Sequence, residues 1–216
     1  MRIDRKLHLI VPIYQDEEGG EIVAHVHSTP ISESVIDRYF MVLGQTYSAI
    51  FSQGLGLAGG PPHAMRVLKA IATERGKWHD DPKTGEIGVE HGLVDEMRRL
   101  TMVDAFKDGR WQDMPLDVAV AQGVLSTDDK TEVENAIAFF TAASATLGRA
   151  QRAGMLRAAA ELWGAEISPL NFTEWRSSSR TSMSAANTGE KPSADVKEAL
   201  PPANAVGGVK RRSLPV

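Results

Sequence analysis

The run GLGLAGG places Gly54, Gly56 and Gly59 in a G-x-G-x-x-G pattern, with Glu74 about as far downstream as a ribose-binding acid would be. Such glycines cradle a pyrophosphate only where a buried strand feeds the turn and a helix opens beyond it. The residues before Gly54 repeat at helical spacing instead, so the run reads as a glycine loop between helices. A second candidate is imidazole chemistry. His8, His25 and His27 lie in a stretch of alternating apolar residues, and three histidines are a minimal zinc set. No carboxylate partner is placed beside them by sequence, and a solvated strand face accounts for them equally well.

Catalytic patterns of other kinds are thin. The chain has no cysteine, which removes thiol nucleophiles, disulfides and thiolate metal ligands. No serine sits in a G-x-S-x-G elbow and no H-E-x-x-H occurs. The paired acids Asp80-Asp81 and Asp128-Asp129 fall in a loop and at a helix start, where structural roles suffice. The expectation is therefore no catalytic residue, no cofactor and no metal.

Positioning elements follow from periodicity. Leu7, Leu9, Val11 and Ile13, then Ile22, Ala24 and Val26, alternate on either side of Asp16-Glu17-Glu18-Gly19-Gly20, the signature of a β-hairpin within residues 1–30. With Ile13 facing Ile22, all seven apolar residues share one face, His8 faces His27 with His25 diagonal, and Pro12 suits an edge strand. From Ser32 or Ser34 the spacing turns helical through Val35, Ile36, Tyr39, Phe40, Leu43, Tyr47, Ile50 and Phe51, with Gly54 as its stop. A helix opened by Pro61-Pro62 carries Met65, Leu68 and Ile71 and closes at Gly76. WHDDPKTGEIG reads as an exposed loop. Further helices are expected at about Val89 to Thr101, over MPLDVAVAQG, after a Ser126 or Thr127 cap with Val133, Ile137, Phe140 and Leu147 on one side, and from Gln151 to Trp163.

Residues 177–216 contain no aromatic, are rich in Ser, Ala and Pro, and carry Pro192, Pro201, Pro202 and Gly207-Gly208. Such a segment cannot offset its ordering entropy by burial, so a disordered tail is expected. Charge divides at the same place. The formal net charge is -4, but residues 1–176 hold 18 Lys+Arg against 25 Asp+Glu, or -7, and residues 177–216 hold 6 against 3, or +3. An acidic body repels phosphate, which argues against nucleic-acid binding by the folded part; Lys210-Arg211-Arg212 reads as a solvated cluster. Leu7 to Tyr14 is broken by His8 and Pro12, and no apolar run approaches the roughly 20 residues that a bilayer needs, so a soluble, unexported protein with no membrane partner is expected.

WGAEISPLNFTEW, running from Trp163 to Trp175, stands out against that background. Trp163-Gly164 closes the last helix, Pro169 forbids its continuation, and Leu170, Phe172 and Trp175 follow at spacings unlike a helix face. They either fold back on the body as a lid or serve as anchors for a partner, since aromatic side chains carry much of the energy of interfaces.

LWGAEISPLNFTEW with its following Ser/Thr run, VENAIAFFTAAS before it, and LHLIVPIYQDEEGGEIVAHVHSTPIS with DRYF near the start resemble the tail assembly chaperones of long-tailed (siphovirus-like) bacteriophages over roughly Leu7 to Thr181. The resemblance implies a helical body with a flexible C-terminal region. It implies a protein that acts in the host cell cytoplasm during virion assembly, binds the tape measure protein, helps recruit tail tube subunits, and is absent from the mature virion. In that family a frameshift often adds a second domain to some copies. An N-terminal hairpin departs from the simplest all-helical picture of such chaperones.

The combined expectation is a mainly α protein: a small N-terminal β-hairpin packed on a helical domain spanning 31–176, then a disordered tail over 177–216. It would work as a non-enzymatic assembly chaperone that can self-associate, with Trp163, Leu170, Phe172 and Trp175 as partner-binding residues. The alternatives are a structural tail or connector protein retained in the virion and a small nucleotide-binding protein or enzyme using the Gly54 loop.

Overall fold

Two turns of one helix set the architecture. Ile137, Ala138, Phe139, Phe140, Thr141, Ala142 and Ala143 are all buried, and a helix apolar around its whole circumference must have neighbours on every side. The structure, a computed structural model, describes residues 2–3, 9–14, 22–107, 110–163 and 166–167. The expected disorder of the tail lies outside these residues. In chain order the elements are β1 Arg2–Ile3, β2 Leu9–Tyr14, β3 Ile22–Ser28, α1 Glu33–Ser52, α2 Gly56–Gly59, a tight turn at Pro61–His63, α3 Ala64–Glu74, a wide turn at Glu90–Val94 running into α4 Asp95–Arg99, β4 Thr101–Lys107, β5 Arg110–Pro115, α5 Leu116–Ala121, α6 Thr127–Thr146, α7 Arg149–Trp163 and β6 Glu166–Ile167. The central helix is α6, and the chain is mainly helical.

Helix α6 starts where the sequence places it. Ser126 Oγ accepts the Asp129 amide at 3.0 Å while Asp129 Oδ2 accepts the Ser126 amide at 2.8 Å, a reciprocal cap. Replacing Ser126 with alanine is expected to cost about 1 kcal/mol, read as a lower urea midpoint with an unchanged slope. Its flanks are tied down by polar contacts. Buried Asn135 accepts the Met65 amide at 2.9 Å at the start of α3, Arg98 of α4 donates to Glu134 at 2.8 Å, and Lys130 pairs with Asp117 of α5 at 2.6 Å. Helices α1 and α3 pack on α6 and on each other. Both end as their glycines predict: Gly54 (φ 74°) and Gly76 (φ 65°) take the left-handed conformation. Paired amides then bond back, Leu55 to Ile50 and Gly54 to Phe51, Lys77 to Ala72 and Gly76 to Thr73.

The sheet is larger than the hairpin expected from sequence. Its order is β5-β4-β3-β2-β1-β6, so β3 is not the hairpin's free side but pairs with β4, and Thr101–Pro115 supplies two strands where a helix end and a connection were expected. The helix expected over Val89 to Thr101 is shorter for the same reason and ends at Arg99. The hairpin register also differs by two: Ile13 faces Ala24, and a bulge after Ile13 sets Ile22 opposite Tyr14. A shift of two preserves the faces. Ile13, Ala24, Val26, Val103, Ala105 and Met114 are accordingly buried together against the helices. Pro12 sits beyond the reach of β1, which pairs only with Leu9 and Ile10, so this stretch of β2 has no ladder partner on that side among the described residues.

Candidate partner-binding surface

The apolar stripe of α1 is wider than its buried strip. Tyr39, Val42, Leu43, Thr46 and Ile50 face inward. Ile36, Phe40, Tyr47 and Phe51, at i, i+4, i+11 and i+15, form an adjacent row, in which Phe40 stays 46% and Phe51 39% exposed. Between Phe40 and Tyr47 stands Gly44, where an added Cβ would meet nothing within 4 Å. The row is therefore notched at its centre and flanked by aromatic rings, with Tyr47 and Phe51 4.6 Å apart between centroids and Phe51 touching the core through Phe139 at 6.5 Å.

On the other side of α1 the loop 77–90 closes a cavity of about 240 Å³, lined by Arg38, Met41 and Val42 of the helix and by Lys77, Glu86 and Ile87 of the loop, among others. The loop is exposed over residues 79–87 apart from half-buried Asp81, as its composition predicts, but it is anchored at both ends. Trp78 is buried at 6% exposure, with the Lys69 ammonium 5.1 Å from its ring centre. Backbone bonds from Val89 to Lys77 and from Glu90 to Trp78 clamp the loop ends together. Asp81 accepts the Lys83 amide and the Thr84 hydroxyl, each at 2.8 Å, to shape the tip. Gly88 packs so tightly that a Cβ would lie 2.5 Å from the Trp78 carbonyl oxygen. The Tyr39 hydroxyl forms the floor, donating to the Ile87 carbonyl at 2.9 Å with the Gly88 carbonyl 3.2 Å away. Burial lifts its pKa above the ordinary phenol value against the opposing hydrogen bond and charge of Arg38, so it stays protonated and can donate.

Asp80 joins the loop to the turn at Glu90–Val94: one oxygen accepts the Gly88 amide at 2.7 Å and the other meets His91 Nδ1 at 3.0 Å. The Gly88 amide first, and His91 second, hold the Asp80 carboxyl below its ordinary value of 3.8; the Asp80 hydrogen bond and charge hold His91 above its ordinary 6.5. The His91 contribution is complete below pH 6.5 and is lost as pH rises through its raised folded value. The Asp80 contribution is present above pH 3.8 and is lost as pH falls through its lowered one. The pair thus supports the loop most between those two limits. NMR titration of the His91 ring is expected to give a higher pKa in the wild type than in Asp80→Asn, and equal values would show that the contact is not formed in solution.

The sheet face turned away from the helices gathers the sequence's imidazole candidates. Across it run Pro12, His25, Asp104 and Asp113 as one row and Ile10, His27, Met102 and Pro115 as the next, so His27 faces Ile10 rather than His8. His25 and Asp104 are buried at 8% and 2% exposure, and the His25 ring lies 6.1 Å from Trp111, which is not the solvated face expected for these histidines. His8 lies outside the described residues. Among the described residues no three His, Asp or Glu side chains are placed to hold a metal ion.

Of the other sequence candidates, Gly54, Gly56 and Gly59 follow helix α1 rather than a strand, so the turn that a dinucleotide site needs is not built there. Trp163 is the last residue of α7, and Leu170, Phe172 and Trp175 lie outside the described residues. Sequence reasoning missed Met41, Ile87, Arg38 and Arg75 as surface features because they meet only when the loop closes on α1. The exposure of Phe40 and Phe51 was legible in principle, as apolar positions in excess of one helical stripe. No helix among the described residues is long and apolar enough to cross a membrane. The fold defined here is a mainly helical body around α6 with a sheet along one side and an aromatic row on α1. Comparison of the chain with known protein families, with curated proteins and with solved structures gives no match.

Proposed function

We propose that this chain is a non-enzymatic assembly chaperone of a long phage tail, one that binds the tape measure protein in the host cytoplasm, helps recruit tail tube subunits, and leaves before the virion is complete. The observation that carries the reading is the exposed aromatic row of α1, Phe40 and Phe51 about the notch at Gly44. A row of this kind suits the apolar face of a partner helix, the geometry by which helix-in-groove binders shield aggregation-prone segments. Trp163, Leu170, Phe172 and Trp175 are proposed as further anchors acting on the same partner.

Co-expression with the tape measure and tail tube proteins of the same genome tests the proposal through soluble yield and co-elution. The tape measure protein is expected to become soluble only in the company of this chain. Phe40→Ser/Phe51→Ser is expected to abolish that rescue with helicity kept, because both rings are partly exposed before binding. Unchanged solubility with the wild-type chain would sink the proposal, and recovery of the chain from purified virions would favour a retained structural component instead.

A further inference from the structure

The cavity beside α1 carries two cationic side chains that its own carboxylates do not pair. Glu86 is committed to Lys77 and Asp81 to the turn at the loop tip. Arg38 and Arg75, both on the cavity wall, form no ion pair among the described residues. The Arg75 Nε is held by the Gln45 side chain, and Gln45 lies seven residues from Arg38 on the same side of α1. That contact fixes the Arg75 guanidinium at the cavity wall through Nε and leaves its terminal nitrogens without a partner among the described residues, while Arg38 reaches the same cavity beside the Tyr39 hydroxyl. Between them and the loop, Met41 and Ile87 remain 60% and 46% exposed, over an apolar wall formed by Val42.

We infer that this cavity receives an acidic, apolar segment of a partner polypeptide: a carboxylate engages Arg38 and Arg75 while a neighbouring aliphatic side chain enters between Met41 and Ile87. The volume of about 240 Å³ falls below the roughly 300–1,000 Å³ typical of small-molecule sites and suits a side chain. Glu86 and Asp81 on the same wall disfavour a dianionic phosphate more than a single carboxylate. Planar guanidinium groups offer the paired donors that a carboxylate accepts, so the recognition is geometric as well as electrostatic. In a body of net negative charge, two unpaired arginines flanked by exposed aliphatic groups mark a complementary patch for an acidic partner. The inference rests on reading the chain as one that captures a polypeptide, and it assigns to that capture a second contact on the side of α1 away from the aromatic row.

Fluorescence anisotropy of the full chain with two labelled helical peptides tests it. Each is about 16 residues long, enough to hold a helix in water; one carries Leu at helical spacing with flanking Glu, and the other has Lys for every Glu. The wild type is expected to bind the acidic peptide about tenfold more tightly than does Arg38→Glu/Arg75→Glu, with the order reversed for the Lys peptide. Arg38→Gln/Arg75→Gln, which removes charge without adding repulsion, is expected to fall between them, and circular dichroism checks that each variant stays folded. Equal affinity of wild type and variants for the acidic peptide overturns the inference, as does its displacement by inorganic phosphate at matched ionic strength. If the charge-reversed chain still solubilises the tape measure protein as well as wild type does, the cavity is excluded while the chaperone reading stands. If the wild type binds the acidic peptide in the expected order but leaves the tape measure protein insoluble, the chaperone reading fails while the cavity assignment stands.

Discussion

Alanine in place of Phe139 is expected to lower the unfolding free energy by about 3–5 kcal/mol. The ring is fully buried, stands edge-on to Phe140 at 5.4 Å and approaches Phe51 at 6.5 Å. It also lies so close to the backbone at Gly60 that a Cβ there would come within 2.8 Å of it. Three separate pieces of chain thus meet on one side chain, and none can move into the vacated space without leaving its own contacts. The upper part of the range is expected for that reason, a large share of the roughly 5–15 kcal/mol that holds an ordinary domain together. Urea denaturation followed by circular dichroism measures it. A loss under about 1 kcal/mol would mean that α1 and α6 can close over the gap.

Gly92→Ala is the second large effect, and it acts through a polar group. A Cβ at this position would lie 1.7 Å from the Tyr39 hydroxyl oxygen and 2.7 Å from the carbon that bears it, so the tyrosine must move. Its hydroxyl would then leave the Ile87 carbonyl, and the loop 77–90 would lose its attachment to the floor of the cavity. Overpacking of about 1–3 kcal/mol and a lost hydrogen bond of about 1 kcal/mol give an expected destabilisation of about 2–4 kcal/mol. Tyr39→Phe separates the two parts, because it removes the closer of the two clashing atoms. The double variant is expected to be more stable than Gly92→Ala alone, the non-additivity expected of two residues in contact. Simple addition of the two single effects would place the clash elsewhere.

The readable parts of the fold are those whose physics is local. The Ser126 cap, the glycine stops after α1 and α3, and the helical spacing of both helices depend on residues a few positions apart, and they stand where the sequence puts them. The sheet was half legible. Met102, Asp104 and Phe106 alternate with Val103 and Ala105, and Asp108-Gly109 is a dipeptide favoured in two-residue hairpin turns. That signal competes with the helical run before Thr101, which no Gly or Pro ends ahead of Gly109. The buried state of His25 and Asp104 was not readable, since the hairpin alone gives no sign of a third strand across from His25. Trp78 teaches a similar lesson: a tryptophan among turn residues is costly to expose, and its burial is what organises the loop around it. The cavity had no local signature at all, because Arg38, Arg75 and Ile87 are brought together only by the tertiary fold.

The pairing of Ser28 with Thr101 has a consequence on the ribosome. The strand that covers the β3 edge begins 73 residues after the residue it pairs with, an interval of about 4–15 s at about 5–20 residues per second. Throughout that time the nascent hairpin presents an unsatisfied backbone edge beside apolar side chains, while α1 and α3 already have the local sequence to coil. The growing polypeptide is itself vulnerable to mispairing between neighbouring chains on one message, and the later arrival of Thr101–Lys107 is the event that ends that exposure.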